Sequence, residues 1–192
     1  YEGLNKPGTI GQPIPGTRVT LVDKEDPTQT APEGEPGEIV VSGPQIMKGY
    51  WRRPESDKEV FVEGGLRTGD VGLIDDDGYI RIVDRLKDMI AVGGFKVFPS
   101  QVEAILYQHE AVKEALVIGI PDAYAGERPK AFVTLQDGAT ATGDELMEWL
   151  NRSLGKHERV VAVEVRLNLP KTMIGKLSRK ELQAEERAKA GA

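Results

Sequence analysis

The spacing of apolar and polar residues divides the chain into two regimes. In the first half, Arg18-Val19-Thr20-Leu21-Val22 and Gly37-Glu38-Ile39-Val40-Val41 carry β-branched residues in a roughly alternating pattern that suits half-buried strands. Pro15-Gly16 and Pro36-Gly37 punctuate them, and residues 27–37, with three prolines and two glycines, predict a surface loop. Leu73-Ile74 and the run Tyr79 to Val83 flank Asp75-Asp76-Asp77-Gly78, which predicts a hairpin, because Asp-Gly tolerates the positive φ of a tight turn. The acidic triplet reads as a solvated turn, since the oxygen-ligand spacing of a calcium loop is missing.

Beyond Arg85 the pattern becomes mixed. Ser100-Gln101-Val102-Glu103 fits a capping box, with Val102, Ile105 and Leu106 following at helical spacing. The run Ala115 to Gly119 predicts a buried strand and Lys130 to Leu135 the next. Thr142-Gly143-Asp144-Glu145 opens a second helix whose inner face is Leu146, Trp149, Leu150 and Leu154. Residues 160–167 predict a third strand. Ser178-Arg179-Lys180-Glu181 caps a terminal helix that frays over residues 188–192. The class is α+β: a β-rich first half, then a three-stranded sheet packed by helices on one side.

Composition narrows the chemistry. The 192 residues include no cysteine, which excludes disulfides, thiolate metal sites and cysteine nucleophiles and suits a reducing, cytoplasmic setting. The two histidines, His109 and His157, lack ligand spacing, so no metal site is expected. The longest apolar run, residues 115–120, is far short of the roughly 20 residues of a membrane span. With 25 basic and 31 acidic side chains the net charge is −6, which argues against nucleic acid as a partner. The charge is uneven: residues 1–84 hold 9 basic and 16 acidic side chains, residues 85–192 hold 16 and 15, so a polyanionic ligand should lean on the second half.

Several short segments stand out. The stretch Gly37 to Pro44 continues through Gly49-Tyr50-Trp51-Arg52-Arg53-Pro54-Glu55. Arg67-Thr68-Gly69-Asp70 follows, then Asp84-Arg85-Leu86-Lys87-Asp88 with Gly93-Gly94-Phe95-Lys96-Val97-Phe98-Pro99, and finally Pro170-Lys171-Thr172-Met173-Ile174-Gly175-Lys176. Taken singly, each has an ordinary reading. Asp70 and Arg85 suit a surface ion pair beside a hairpin, Lys87 a solvated connector, and Gly93-Gly94 either a tight turn or a close approach to a ligand. Gly175-Lys176 is not a phosphate-binding loop, because Pro170 stands where a glycine is needed and Leu177 where a hydroxyl is needed.

In this order and spacing the segments resemble the ATP-dependent acyl-CoA synthetases of the adenylate-forming superfamily, and are most similar to bacterial long-chain fatty acid CoA ligases. The resemblance implies that residues 1–85 are the β-rich end of a large N-terminal domain and residues 86–192 a small mobile C-terminal domain. It implies that Asp70 accepts hydrogen bonds from the ribose hydroxyls of ATP, that Arg85 adds donors to the same nucleotide, and that Lys87 is the hinge. It further implies that Gly93 and Gly94 line the tunnel for CoA, with Arg159 on the CoA nucleotide. Here the chain departs from the pattern: Glu158 stands where relatives carry a cation. His157 is expected to pack beside the third strand. Lys176 is implied to be catalytic, bridging the attacking carboxylate and the α-phosphate.

The phosphate-cradling loop, the Mg²⁺ ligands and the acyl pocket of such enzymes are not found in the sequence, which opens without methionine in a glycine-containing stretch, Tyr1-Glu2-Gly3-Leu4. The expectation is therefore a C-terminal part of a longer ligase, inactive alone, whose parent uses ATP, Mg²⁺, CoA and a fatty acid and has the option of peripheral membrane association. Two alternatives stand beside it: an adenylation domain that loads a carrier protein in a peptide synthetase, and a non-catalytic module that binds CoA or nucleotide.

Overall fold

The computed structural model describes residues 5–62 and 64–190. The stretch Tyr1 to Leu4 and the last two residues of the expected frayed end therefore lie outside the described residues. The chain divides into two compact units, Tyr1–Lys87 and Asp88–Ala192.

Among its described residues the first unit is a five-stranded sheet. The alternating segments form β1 (Arg18–Val22) and β2 (Gly37–Ser42), paired antiparallel. A short helix, α1 (Pro54–Val60), leads into β3 (Phe61–Val62), then β4 (Gly65–Ile74) and β5 (Ile80–Arg85). β4 is the organising strand, antiparallel to β2, β3 and β5. The Asp-Gly turn forms as expected, with Gly78 at φ 79° and the Asp75 carboxylate accepting the N–H groups of Asp77 and Tyr79. Lys6 donates to the same carboxylate at 2.5 Å, so the acidic turn is partly neutralised by the chain's own cation. The core of this unit is Ile39, Val40, Val71, Tyr79 and Ile80.

The second unit departs from expectation in the size of its sheet. Among the described residues its strands are β6 (Ile90–Val92), β7 (Phe95–Val97), β8 (Val112–Asp122), β9 (Gly126–Leu135) and β10 (Val163–Val165), five rather than three. The two additional strands are a hairpin of three-residue arms, too short to show alternation. β9 sits centrally, antiparallel to β8 along a long ladder, bridged to β6, and parallel to β10. The expected third strand shrinks to three residues.

Helices pack on both faces of this sheet, not one. Alternation along β8 sends Ala115 and Val117 to one face, where they join Val102 and Leu106 of α2 (Pro99–Leu106) and Leu146 and Leu150 of α3 (Gly143–Arg152). Leu116 and Ile118 point the other way and meet Phe132 and the fully buried Leu182 of α4 (Arg179–Ala190). The helix expected to fray is thus regular through residue 190. Thr142 caps α3 with a complete capping box to Glu145, as the sequence predicts. α2 does not start in the expected way. Phe98 is its N-cap without a side-chain cap and Pro99 opens its first turn, so Ser100 lies inside the helix. The Glu103 carboxylate accepts Arg179, 76 positions along the chain.

Candidate functional site

In the first unit, the antiparallel register of β4 and β5 sets Asp70 opposite Arg85, beside a bulge between Val71 and Gly72. Arg85 Nε forms an ion pair with Asp70 Oδ1 at 2.8 Å. The second carboxylate oxygen of Asp70 has no protein partner among the described residues, so it is open to a hydroxyl donor. The approach to Asp70 is held from below. Its own N–H donates to Thr68 Oγ1 at 3.1 Å, and the Thr68 hydroxyl donates to the Ile39 carbonyl at 2.9 Å. Glu38, only 2% exposed, accepts Arg67 Nε at 2.8 Å and the Gly69 N–H at 3.2 Å, and pairs ionically with Arg67 Nη2 at 2.7 Å.

Glu38 and Arg67 lie in segments that stand out in the sequence, but the sequence alone gives neither a role. The legible signal is an acidic side chain embedded in an apolar strand run, which burial obliges to find a cation. A cleft of about 430 Å³ opens here, lined by Glu38, Tyr50, Arg67, Gly69, Arg85 and Lys87 among others. Lys87 is exposed, sits in the single 3₁₀ turn Leu86–Asp88 and is the last residue of the first unit.

In the second unit, Gly93 and Gly94 are the two turn residues of the β6–β7 hairpin, with φ 56° and 87° and Val92 paired to Phe95 across them. Positive φ at both central positions is the geometry that matches strand twist, and it is why two glycines stand there. A Cβ at either would meet nothing within 4 Å, so the space beside the turn is open. Phe95 stacks on His157 with ring centroids 3.5 Å apart and planes 14° from parallel. This stack joins the hairpin to the segment that carries Arg159, which is exposed. Glu158, the departure from the family pattern, accepts the Gly155 N–H at 2.9 Å and so closes a turn. Asn151 clamps Val160 through paired bonds of 2.9 Å, fixing the same segment to α3.

Lys176 rides on a loop closed by backbone bonds. The Thr172 N–H donates to the Lys176 carbonyl at 2.7 Å, Gly175 to Thr172 at 2.8 Å and Ser178 to Pro170 at 2.9 Å. Gly175, at φ 78°, makes the turn possible. The Lys176 N–H also donates to Thr172 Oγ1 at 3.2 Å. Met173 and Ile174 are exposed at the tip. The two lysines of the motif differ: Lys171 pairs with Glu114 at 2.6 Å, whereas Lys176 is exposed and has no ion pair among the described residues.

Asp70 and Arg85 therefore come together in the first unit, and the Gly93-Gly94 hairpin is stacked against the Arg159 segment in the second. Lys176 stands apart on its own loop. Among the described residues, no three His, Cys, Asp or Glu side chains gather in a way that could hold a metal ion, and no helix is long and apolar enough to cross a membrane.

Residues 101–176 match the AMP-binding enzyme C-terminal domain and residues 2–51 match the AMP-binding enzymes. The chain is 46% identical over 184 residues to the long-chain-fatty-acid–CoA ligase of Bacillus subtilis, covering 96% of this chain and 33% of that protein. It is 44% identical over 178 residues to the feruloyl-CoA synthase of an Amycolatopsis species, covering 93% and 36%. ATP-bound MatB from Rhodopseudomonas palustris has the same fold, with a TM-score of 0.89 at 35% identity over 96% of this chain and 37% of that one. The chain thus spans about a third of the length of these relatives. It belongs to the adenylate-forming AMP-binding enzymes, of which it represents the C-terminal portion.

Proposed function

We propose that the chain is the C-terminal part of an ATP-dependent acid–thiol ligase that activates a long-chain fatty acid. In the first half-reaction a carboxylate oxygen attacks the α-phosphorus of ATP, the bond to the bridging oxygen of pyrophosphate breaks, and acyl-AMP forms. In the second the CoA sulfur attacks the acyl carbonyl, the thiol proton is released and AMP departs.

The observation that carries this reading is the Lys176 loop. Its backbone is closed on itself, its other lysine is neutralised by Glu114, and Lys176 is the lysine of this loop that has no ion pair among the described residues. Such a cation, held in place before the reaction, stabilises charge that builds on the carboxylate and α-phosphate as pyrophosphate leaves. Asp70 takes the ribose hydroxyls with its open oxygen while Arg85, already on Oδ1, keeps the carboxylate oriented. Residues 1–85 are the end of the large domain and residues 86–192 the mobile one, with Lys87 as the hinge. A residue in one turn between two strands, exposed and without an ion pair among the described residues, loses little when its torsions change. The open side of Gly93-Gly94, with Arg159 beyond the Phe95–His157 stack, receives the pantetheine arm and nucleotide of CoA. The ligands of Mg²⁺ lie in the parts of the ligase that this chain does not include, and no step here runs through the metal.

The long acyl chain is assigned on relatives such as the Bacillus subtilis ligase. The similar match to a feruloyl-CoA synthase agrees with an acyl pocket that lies outside this third of the enzyme. In the full-length ligase, Lys176→Ala should slow adenylation, read as pyrophosphate exchange, while supplied acyl-adenylate is still converted to acyl-CoA. Lys87→Pro should do the reverse. Equal loss of both half-reactions in Lys176→Ala removes that residue from its role. The 192-residue chain alone should make no acyl-CoA from ATP, fatty acid and CoA.

A further inference from the structure

The loop that carries Lys176 ends at a cation the mechanism above does not use. Arg179 is the first residue of α4, and its side chain is one-fifth exposed. Nη2 donates to both oxygens of Glu103 in α2, at 2.6 and 2.8 Å. Nε donates to the Val117 carbonyl of β8 at 3.1 Å, and Nη1 lies 3.5 Å from Asp88 Oδ2. One guanidinium therefore gathers a helix, a strand and the residue that follows Lys87. Only the planar fork of arginine serves three directions at once; a lysine ammonium in its place is a single point.

Helix docking does not account for this arrangement. α4 is already seated by the fully buried Leu182 and by Glu186, which binds Lys130 at 2.9 Å. Three partly buried ionic groups are a poor device for stability alone, because their desolvation offsets much of their attraction. What the fork does fix is the point where the chain leaves the loop, three residues after Lys176, while the Ser178–Pro170 bond closes the loop's neck beside it.

We propose that Arg179 is a positioning residue for Lys176, pinning the base of its loop to Glu103 and Val117 and, through Asp88, to the segment just past the hinge. This rests on the catalytic role assigned to Lys176 above. The loop then moves with the hinge exit as one piece, and Lys176 reaches the α-phosphate without a separate search for its position.

The test uses the full-length ligase with Arg179→Met and Arg179→Lys, each made alone and in the Lys176→Ala background. The readings are pyrophosphate exchange for adenylation and acyl-CoA formation from supplied acyl-adenylate. Arg179→Met is expected to lower the adenylation kcat by about tenfold or more. The KM for ATP and the thioester step should change by no more than about twofold, and Arg179→Lys should recover part of the loss. In the Lys176→Ala background Arg179→Met should add no further loss. Equal loss of both half-reactions, or a full additional loss on top of Lys176→Ala, overturns the proposal. If Arg179→Met does not fold, Arg179→Lys decides: selective loss of adenylation supports the proposal, and unchanged or equal losses overturn it. If Lys176→Ala is itself not selective for adenylation, the mechanism fails first, and that result is distinct from a failure confined to Arg179.

Discussion

Glu38→Ala tests how the Asp70 strand is held in place. The substitution removes a hydrogen bond from Arg67 Nε at 2.8 Å, the ion-pair contact with Arg67 Nη2 at 2.7 Å, and a hydrogen bond from the Gly69 N–H at 3.2 Å. Bonds to a charged group contribute about 1.5–3 kcal/mol each, but the burial of the carboxylate offsets several kcal/mol of that sum. What remains is the cost of leaving a cation without its partner, about 3–5 kcal/mol for a fully buried pair. Arg67 is less deeply placed, with its side chain 23% exposed and a bond of 3.2 Å to the Glu59 carbonyl. The lower end, about 3 kcal/mol, is therefore expected, roughly two decades in an equilibrium constant. Amide hydrogen exchange in β2 and β4 reads this locally, and protection there should fall by roughly a hundredfold. Glu38→Met combined with Arg67→Met should recover much of the loss, because both charged partners go together. Protection unchanged within about fivefold in Glu38→Ala, or a double variant as damaged as the single one, refutes the reasoning.

Three other outcomes follow from the second unit. Gly94→Ala places a Cβ at φ 87° and should cost about 1–2 kcal/mol, seen as a lower thermal midpoint; wild-type behaviour would mean the turn is not held in this geometry. Leu182→Ala empties a site packed by Leu116, Ile118, Phe132 and Leu169 and should cost about 2–5 kcal/mol in denaturant unfolding, and a loss below about 1 kcal/mol would refute the seating of α4. Acid should loosen α4 as well. Burial pushes the carboxyls of Glu164 and Glu186 up, but Lys130 and Arg166 at the first, and Lys189 and Lys130 at the second, outweigh it and hold both below the ordinary 4.5. Carboxyls depressed by folding contribute stability that is complete above that value and is lost as pH falls through their lowered folded values. Amide protection in α4 that stays constant from about pH 5 to about pH 3 would contradict this.

The sequence showed local features well and distant partnerships poorly. The Thr142–Glu145 capping box and the Asp-Gly turn at Gly78 form as read, because every atom they need lies within a few residues. Ser100-Gln101-Val102-Glu103 has the same spelling as a cap, yet Pro99 starts the helix earlier and the Glu103 carboxylate accepts Arg179. No local pattern announces a partner 76 positions away. The β6–β7 hairpin was hidden because three-residue arms cannot display a period of two, although Gly93-Gly94 marked its turn. At the candidate site, the motifs that hold Asp70, Arg85 and Lys176 can be read from the sequence, and the register of β4 and β5 sets the first two opposite each other. The role of Glu38 was not legible, since its importance comes from burial beneath Gly69, which only the pairing of β2 with β4 creates.

The two-faced packing of β8 and β9 constrains how such a chain can vary in length. Ala131 and Val133 serve one cluster while Phe132, between them, serves the other. Adding or deleting one codon within either strand would exchange the two sets of neighbours for every side chain beyond it and ruin both interiors at once. Between these two strands, a longer connection is best taken up at Tyr124, which is fully exposed, while the next residue, Ala125, packs against one of the two clusters and accepts the Gly93 N–H.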